Sequence, residues 1–278
     1  MTKSQFAVTL VALAAMVPTT LCAQGPEFKI PDGWVVSPEN DRAAGEAGYR
    51  VLHEETGIEL VYVPGGTFMM GSADDDLDAR GDEIPQHEHP VEAFWIGRTA
   101  VTVGQWRSVM GSVPGMFNDQ GDSHPVVEVG WDDAQEFCDK ARLRLPAEPE
   151  WEYAARGPEN RKYPWGDDWD KTKCCNGGNR GPGDRTFPVG SFPEGASWCG
   201  ALDMSGNVWE WCADSHDPDA YRSYAKGDLA PPSTGLRKVL RGGSWFYVDP
   251  RYVRCAFRGG SAPSYRDLNV GFRCARGL

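Results

Sequence analysis

The sequence predicts an α+β domain with little regular secondary structure and long ordered loops. Three observations predict it. Short strand patterns and short amphipathic helix patterns alternate along the 278 residues with no internal repeat and no low-complexity run. The chain carries 33 Gly and 11 Trp, a mixture of turn formers and large aromatic anchors. Residues 156–192 form a tract rich in Gly, Pro, Asn and Asp with Tyr163, Trp165 and Trp169 embedded in it. A loop of that length in a compact domain is either disordered or held in place, and the aromatic residues argue for the second.

The elements follow in order. Residues 24–56 are polar and irregular, with Pro26, Pro31 and Pro38, and read as a leader or linker with one strand near Tyr49–Val51. Ile58–Val63 is a strand, Pro64-Gly65-Gly66 a turn, and Thr67–Met70 a second strand. Residues 72–86 form an acidic loop, and Val91–Ile96 a third strand. Thr102 is placed to cap a helix over Gly104–Met110, with Val103, Trp106 and Met110 on one side. Asp132 starts a helix running to about Arg142, whose apolar stripe is Ala134, Phe137, Cys138 and Ala141. A short helix covers about Glu148–Ala155, and the last third alternates short strands with long turns. One domain from about 57 to 276 is the simplest division.

The N-terminus reads as an export signal over residues 1–23. Lys3 precedes the apolar run Phe6–Val17, and Ala23 stands at a cleavage point. The run is short for a membrane span. Cys22 opens a lipoprotein alternative, although Leu21 stands where lipidation wants a small residue. A periplasmic or extracellular location is therefore expected. Export permits disulfides. Eight cysteines are present, and processing leaves seven, an odd number, so at least one thiol stays unpaired within the chain. The net charge of −12 argues against nucleic acid or anionic membrane as a partner.

Several segments carry a family resemblance when taken in order. They are Pro64-Gly65-Gly66-Thr67-Phe68-Met69-Met70-Gly71; Glu83 and Pro85 with His87; Arg144-Leu145-Pro146-Ala147-Glu148-Pro149-Glu150-Trp151-Glu152-Tyr153-Ala154-Ala155-Arg156-Gly157; and Tyr163-Pro164-Trp165-Gly166. Met204-Ser205-Gly206-Asn207-Val208-Trp209-Glu210-Trp211, Arg241-Gly242-Gly243-Ser244-Trp245 and Gly271-Phe272-Arg273 complete the set. Over roughly 220 residues this order resembles the formylglycine-generating enzyme, or sulfatase-modifying factor, family. The resemblance implies its variant of the C-type lectin fold. The motif residues themselves read as scaffold. Trp151, Trp209, Trp211 and Trp245 are core anchors, and Arg144, Arg241 and Arg273 need buried acids such as Glu148, Glu150 or Glu152.

The resemblance also implies ligands. Structural calcium would sit on Asp203 and Glu210 with the carbonyls of Gly206 and Val208, a hard-oxygen set. A second calcium would begin at Asn176 and Gly177, with Asp184 as its downstream acid. Cys138 and Cys274 match a family disulfide, whereas Cys255 faces Ala155 where the family has its partner. The family's oxidase chemistry uses a copper ion on two thiolates, because soft Cu(I) needs sulfur. Those positions fall on Tyr247 and near Tyr252, and residues 246–254 contain no cysteine. Copper is therefore not expected, and no catalytic residue is assigned. His87 and His89, two apart, offer a weaker metal pair.

What remains between the fixed motifs is a face of another kind. Phe246, Tyr247, Tyr252, Phe257, Tyr265 and Asp267 lie among Gly259, Gly260, Leu268 and Asn269. Rigid aromatic anchors interleaved with small residues suit the binding of a protein or small ligand. The placement resembles variable proteins of diversity-generating retroelements, which use the same lectin-like fold. The sequence therefore predicts a monomeric, exported binding scaffold. An oxidoreductase of the same family acting on a protein or peptide substrate is the alternative.

Overall fold

The computed structural model describes residues 28–278 except Phe117, Asp184 and Ser233. The expected export signal with Cys22, and the acid Asp184, lie outside the described residues. The strands are β1 (Val35–Val36), β2 (Arg50–His53), β3 (Ile58–Val63), β4 (Gly66–Met70), β5 (His87–Val91), β6 (Phe94–Gly97), β7 (Trp209–Ser215), β8 (Lys238–Arg241), β9 (Arg258–Ser261), β10 (Val270–Phe272) and β11 (Ala275–Gly277). The helices are α1 (Val103–Met110), α2 (Trp131–Lys140), α3 (Glu148–Arg156) and α4 (Ala220–Tyr224). Three small sheets result, ordered β1-β2-β3-β6-β11, β10-β7-β8-β9 and β4-β5. This is the mixed, loop-rich α+β architecture expected from the sequence. Among the described residues no helix is long and apolar enough to cross a membrane.

The helices form where local signals place them. Thr102 accepts from the Gln105 amide at 3.2 Å while the Gln105 side chain accepts from the Thr102 amide at 3.0 Å, closing both ends of a capping box. The first turn of α2 is held by Asp133, which accepts from the Gly130 amide at 2.7 Å. Its buried face is Ala134, Phe137 and Cys138. Phe137 stacks on Trp106 of α1 with ring centroids 5.5 Å apart.

Two expectations change. Val91–Ile96 is not one strand. Val91 pairs with Gly66 in the two-stranded sheet, while Phe94 pairs with Val63 in the five-stranded sheet, and Glu92-Ala93 makes the crossing. Periodicity alone cannot reveal that one apolar run serves two sheets. Residues 28–53 are also more than a leader: β1 and β2 extend the large sheet, and Trp34, Tyr49 and Val51 are buried in its core.

Strand β5 turns His87 and His89 inward, both buried. His87 Nδ1 lies 3.0 Å from the Pro85 carbonyl, which can only accept, so that nitrogen carries the proton. His87 Nε2 and His89 Nδ1 have no partner among the described residues. Both rings pack on Tyr224, at 5.6 and 5.2 Å. Among the described residues no cluster of three or more His, Cys, Asp or Glu converges on a metal position. Burial, aided by the charge of His87, pushes the His89 ring down to about 4. The unfolded chain protonates it near 6.5, so stability is lost as pH falls from 6.5 towards 4. Asp203 and Asp214, both pushed up to about 6 by burial, act in the opposite direction. Urea titrations at pH 7 and pH 4.5 should therefore be compared between wild type and His89→Gln. The wild type is expected to lose more, by an amount on the order of 2 kcal/mol. Equal losses would show that the ring is not held neutral.

Candidate functional site

The C-terminal third is held from beneath by buried arginines. Arg241 on β8 donates to Glu152 at 2.5 Å and Glu148 at 3.3 Å, and also to the carbonyls of Cys255 and Ala256 at 2.7 and 3.1 Å. It thereby fastens the segment that carries Phe257. Arg258 on β9 grips Glu148 through two bonds of 2.8 and 2.7 Å and reaches the carbonyls of Asp82 and Asp217. Arg254 pairs with Glu83 at 2.9 and 3.0 Å and with the Asp78 carbonyl at 2.6 Å. A buried guanidinium is tolerable only with partners of this kind, and here the partners are the helix α3 acids and the acidic loop. Arg144 pairs with Glu150 as expected, at 2.6 Å. Arg273 does not use the α3 acids: its fork closes on Glu210 at 2.5 and 2.7 Å.

On this frame sits a cleft of about 320 Å³. Its aromatic lining is Trp209, Tyr247, Tyr252, Phe257 and Tyr265. Asp249 makes the turn that brings two of these together. It caps Pro250–Val253 by accepting from the Arg251 amide at 3.0 Å, and its carbonyl accepts from the Tyr252 amide at 3.2 Å. Tyr252 then folds back onto Tyr247, with centroids 4.7 Å apart and planes 23° apart. Phe257 meets Tyr252 edge-on at 5.1 Å, and Trp209 lies 5.7 Å from Phe257 and 5.9 Å from Tyr247. Close approach of β9 depends on Gly260, where a Cβ would come within 2.5 Å of His216 Cγ. Tyr265 donates to Asp267 at 2.5 Å, and that bond, with burial and the charge of Asp267, raises its hydroxyl to about 12.

The polar wall was not legible in the sequence. Arg80, Asp82, His216 and Arg237 line the same cleft. They come from the acidic loop and from the turns after β7 and before β8, and no local pattern joins them. Burial pushes Asp82 upward, yet His216 at 3.4 Å, Arg80 and Arg258 together hold it below its ordinary value. Arg80 lies over the Phe257 ring at 5.3 Å. Trp209, expected only as an anchor, serves both core and cleft. Of the six expected contact residues, Tyr247, Tyr252, Phe257 and Tyr265 line the cleft. Asp267 stands behind Tyr265, and exposed Phe246 packs on Trp245 and Tyr247 outside it.

The expected metal and disulfide positions are also visible. Asp203 is buried in a left-handed conformation (φ +57°) and accepts from the Gly190 amide at 2.7 Å. Glu210 is shared between Arg273 and the Trp151 indole, which donates at 2.7 Å. Asn176 makes a turn: its Oδ1 accepts from Gly178 and its amide donates to the Lys171 and Cys174 carbonyls. Gly177 donates to the Tyr247 carbonyl at 2.7 Å, so this segment supports the cleft from behind. The sulfurs of Cys138 and Cys274 lie 3.8 Å apart as thiols. The seven described cysteines are all buried, and none lines the cleft.

Residues 49–278 match the family described as sulfatase-modifying factor enzyme 1-like domain. The formylglycine-generating enzyme of Streptomyces coelicolor is 32% identical over 86% of this chain and 96% of its own length. Among solved structures, PvdO from Pseudomonas aeruginosa superposes with a TM-score of 0.72 at 29% identity, over 84% of this chain and all of that one. Treponema denticola variable protein 1 superposes with a TM-score of 0.67 at 26% identity, over 80% and 95% of the two chains.

Proposed function

We propose, from the premise that this chain belongs to the sulfatase-modifying factor enzyme 1-like family, that it is an exported binding member whose C-terminal face holds a ligand. Formylglycine generation on a thiolate pair is not its activity. One observation carries this reading: Tyr247, where the resemblance puts one thiolate, stacks 4.7 Å from Tyr252, near where it puts the other. Their phenol rings offer no soft sulfur, so the cleft does not fit a thiolate-held copper ion. Cys255, three residues after Tyr252, is buried, and burial pushes its thiol up to about 12, so it stays protonated at neutral pH. The aromatic lining suits the alternative use, because rigid rings supply contact area at low entropic cost.

The test compares wild type with Tyr252→Ala in a thermal-shift screen of small aromatic and peptide ligands, run beside an oxygen-consumption assay with a cysteine-bearing peptide and copper. Ligands that stabilise the wild type and not the variant are expected, with no oxygen uptake. Stoichiometric copper binding with peptide-dependent oxygen uptake would overturn the reading. It would favour the second one, an oxidoreductase acting on a protein or peptide, which rests on the 32% identity to a formylglycine-generating enzyme.

Calcium belongs to the same proposal as a structural ion. Asp203 is a buried acid with no arginine hydrogen-bonded to it among the described residues, and Glu210 follows on β7. These carboxylates with the Gly206 and Val208 carbonyls would hold it. Saturating calcium is expected to raise the melting temperature by roughly 5 °C, with reversal by chelator and no response in Asp203→Asn. A response unchanged in that variant would place the ion elsewhere.

A further inference from the structure

The cleft does not end at its aromatic floor. A second hollow runs outward from it past Pro218 and the exposed Leu236, and the two share Arg80, Asp82, His216 and Arg237. The junction therefore holds two arginines and one aspartate. The third arginine nearby, Arg258, is closed on Glu148 and contributes no free charge. Arg80 is half-exposed, 3.5 Å from Asp82, with its cation above the Phe257 ring. The side chain of Arg237 is exposed and has no ion pair or hydrogen bond among the described residues. A local excess of arginine stands out in a chain of net charge −12.

Resting on the binding reading above, we propose that the ligand is an aromatic carboxylate. Its ring lies on the accessible aromatic surface of the cleft made by Tyr247, Tyr252 and Tyr265, and its carboxylate lies at the junction between Arg80 and Arg237. Three features argue for this chemistry. A planar guanidinium matches a carboxylate with two parallel hydrogen bonds. A cation is disfavoured, because Arg80 already occupies the face of Phe257 where it would sit. Asp82 lies 3.5 Å from Arg80 and 3.4 Å from His216 Nε2, so it orients Arg80, and among the described residues it makes no ion pair with Arg237.

The probes are indole-3-acetate, its neutral isostere indole-3-acetamide and the cation tryptamine, titrated calorimetrically into the full mature chain. Indole-3-acetate is expected to bind at least tenfold more tightly than the amide, with tryptamine weakest. The variants Arg237→Ala and Arg80→Ala/Arg237→Ala change side chains at the protein surface. They are expected to lower the acetate affinity to the level of the amide while leaving the amide unchanged. Tyr252→Ala should weaken both. Equal binding of acetate and amide by the wild type, or a preference that survives in the double variant, overturns the carboxylate assignment and leaves the binding reading standing. Absence of binding by every probe to the wild type overturns the carboxylate assignment. If the ligand screen of the preceding section also finds nothing, the binding reading falls with it.

Discussion

Glu152→Ala is expected to cost about 3–5 kcal/mol of folding stability, because it strips a buried acid from two buried arginines. Glu152 is fully buried and accepts from Arg241 at 2.5 Å, Arg156 at 2.7 Å, the Gly71 amide at 2.8 Å and the Tyr221 hydroxyl at 3.1 Å. Burial would raise its pKa, yet the charges of Arg241 and Arg156 with the Gly71 amide bring it down to about 2. Its contribution is therefore fully present above about pH 4.5 and is lost as pH falls towards 2. Urea denaturation at pH 7 measures the loss directly. Glu152→Gln, which keeps the shape, should lose less. Replacing Glu152 and Arg241 together with Leu and Met should recover part of it, since no lone charge then remains on that arginine. A loss below 1 kcal/mol for the alanine variant would mean that water reaches the site. Because Arg241 also holds the Cys255 and Ala256 carbonyls, the variant should loosen Phe257 and weaken ligand binding as well.

Gly206→Ala is the second large effect, expected at about 2–4 kcal/mol. Gly206 has φ +80°, a region an alanine enters only with strain. A Cβ there would also overlap the Cys175 carbonyl oxygen, and a main-chain atom has little freedom to retreat. The adjacent Asn207 amide is bonded to that same carbonyl at 2.8 Å, and the Gly206 amide donates to the Gly242 carbonyl at 2.8 Å. The substitution thus pushes on two loops at once, including the Arg-Gly-Gly-Ser turn that leads into Tyr247. Thermal and urea denaturation check the stability. The calcium response should fall in parallel, because Gly206 supplies one of the proposed carbonyls. A variant as stable as wild type would show that the two loops can separate without cost.

Much of the frame was readable residue by residue. The cap at Thr102 and the apolar face of α2 follow from local sequence alone, and Arg144 takes one of the nearby acids the sequence offered it. The buried state of Trp151 and Trp211 follows from size and composition. The crossing between β5 and β6 was not readable, because sheet membership depends on strands far away in sequence. The pairing of Arg273 with Glu210, 63 residues apart, was misread for the same reason. A carboxylate's identity says that it needs a cation, and many arginines qualify.

The sequence by itself determined the family through the order of its motifs, the kind of element each segment forms, and the absence of a thiolate pair from residues 246–254. Those properties are local, or are carried by residue identity. Only the tertiary structure decided what occupies the vacated positions and what surrounds them. Tyr247 and Tyr252 stack because the Asp249 turn reverses the chain. Arg80, Asp82, His216 and Arg237 meet the aromatic floor because Arg258 ties β9 both to Glu148 and to the carbonyls of Asp82 and Asp217. Such meetings depend on the paths of long loops held by buried ion pairs. No periodicity encodes those paths, so the polar wall of the cleft became legible only once the chain was folded.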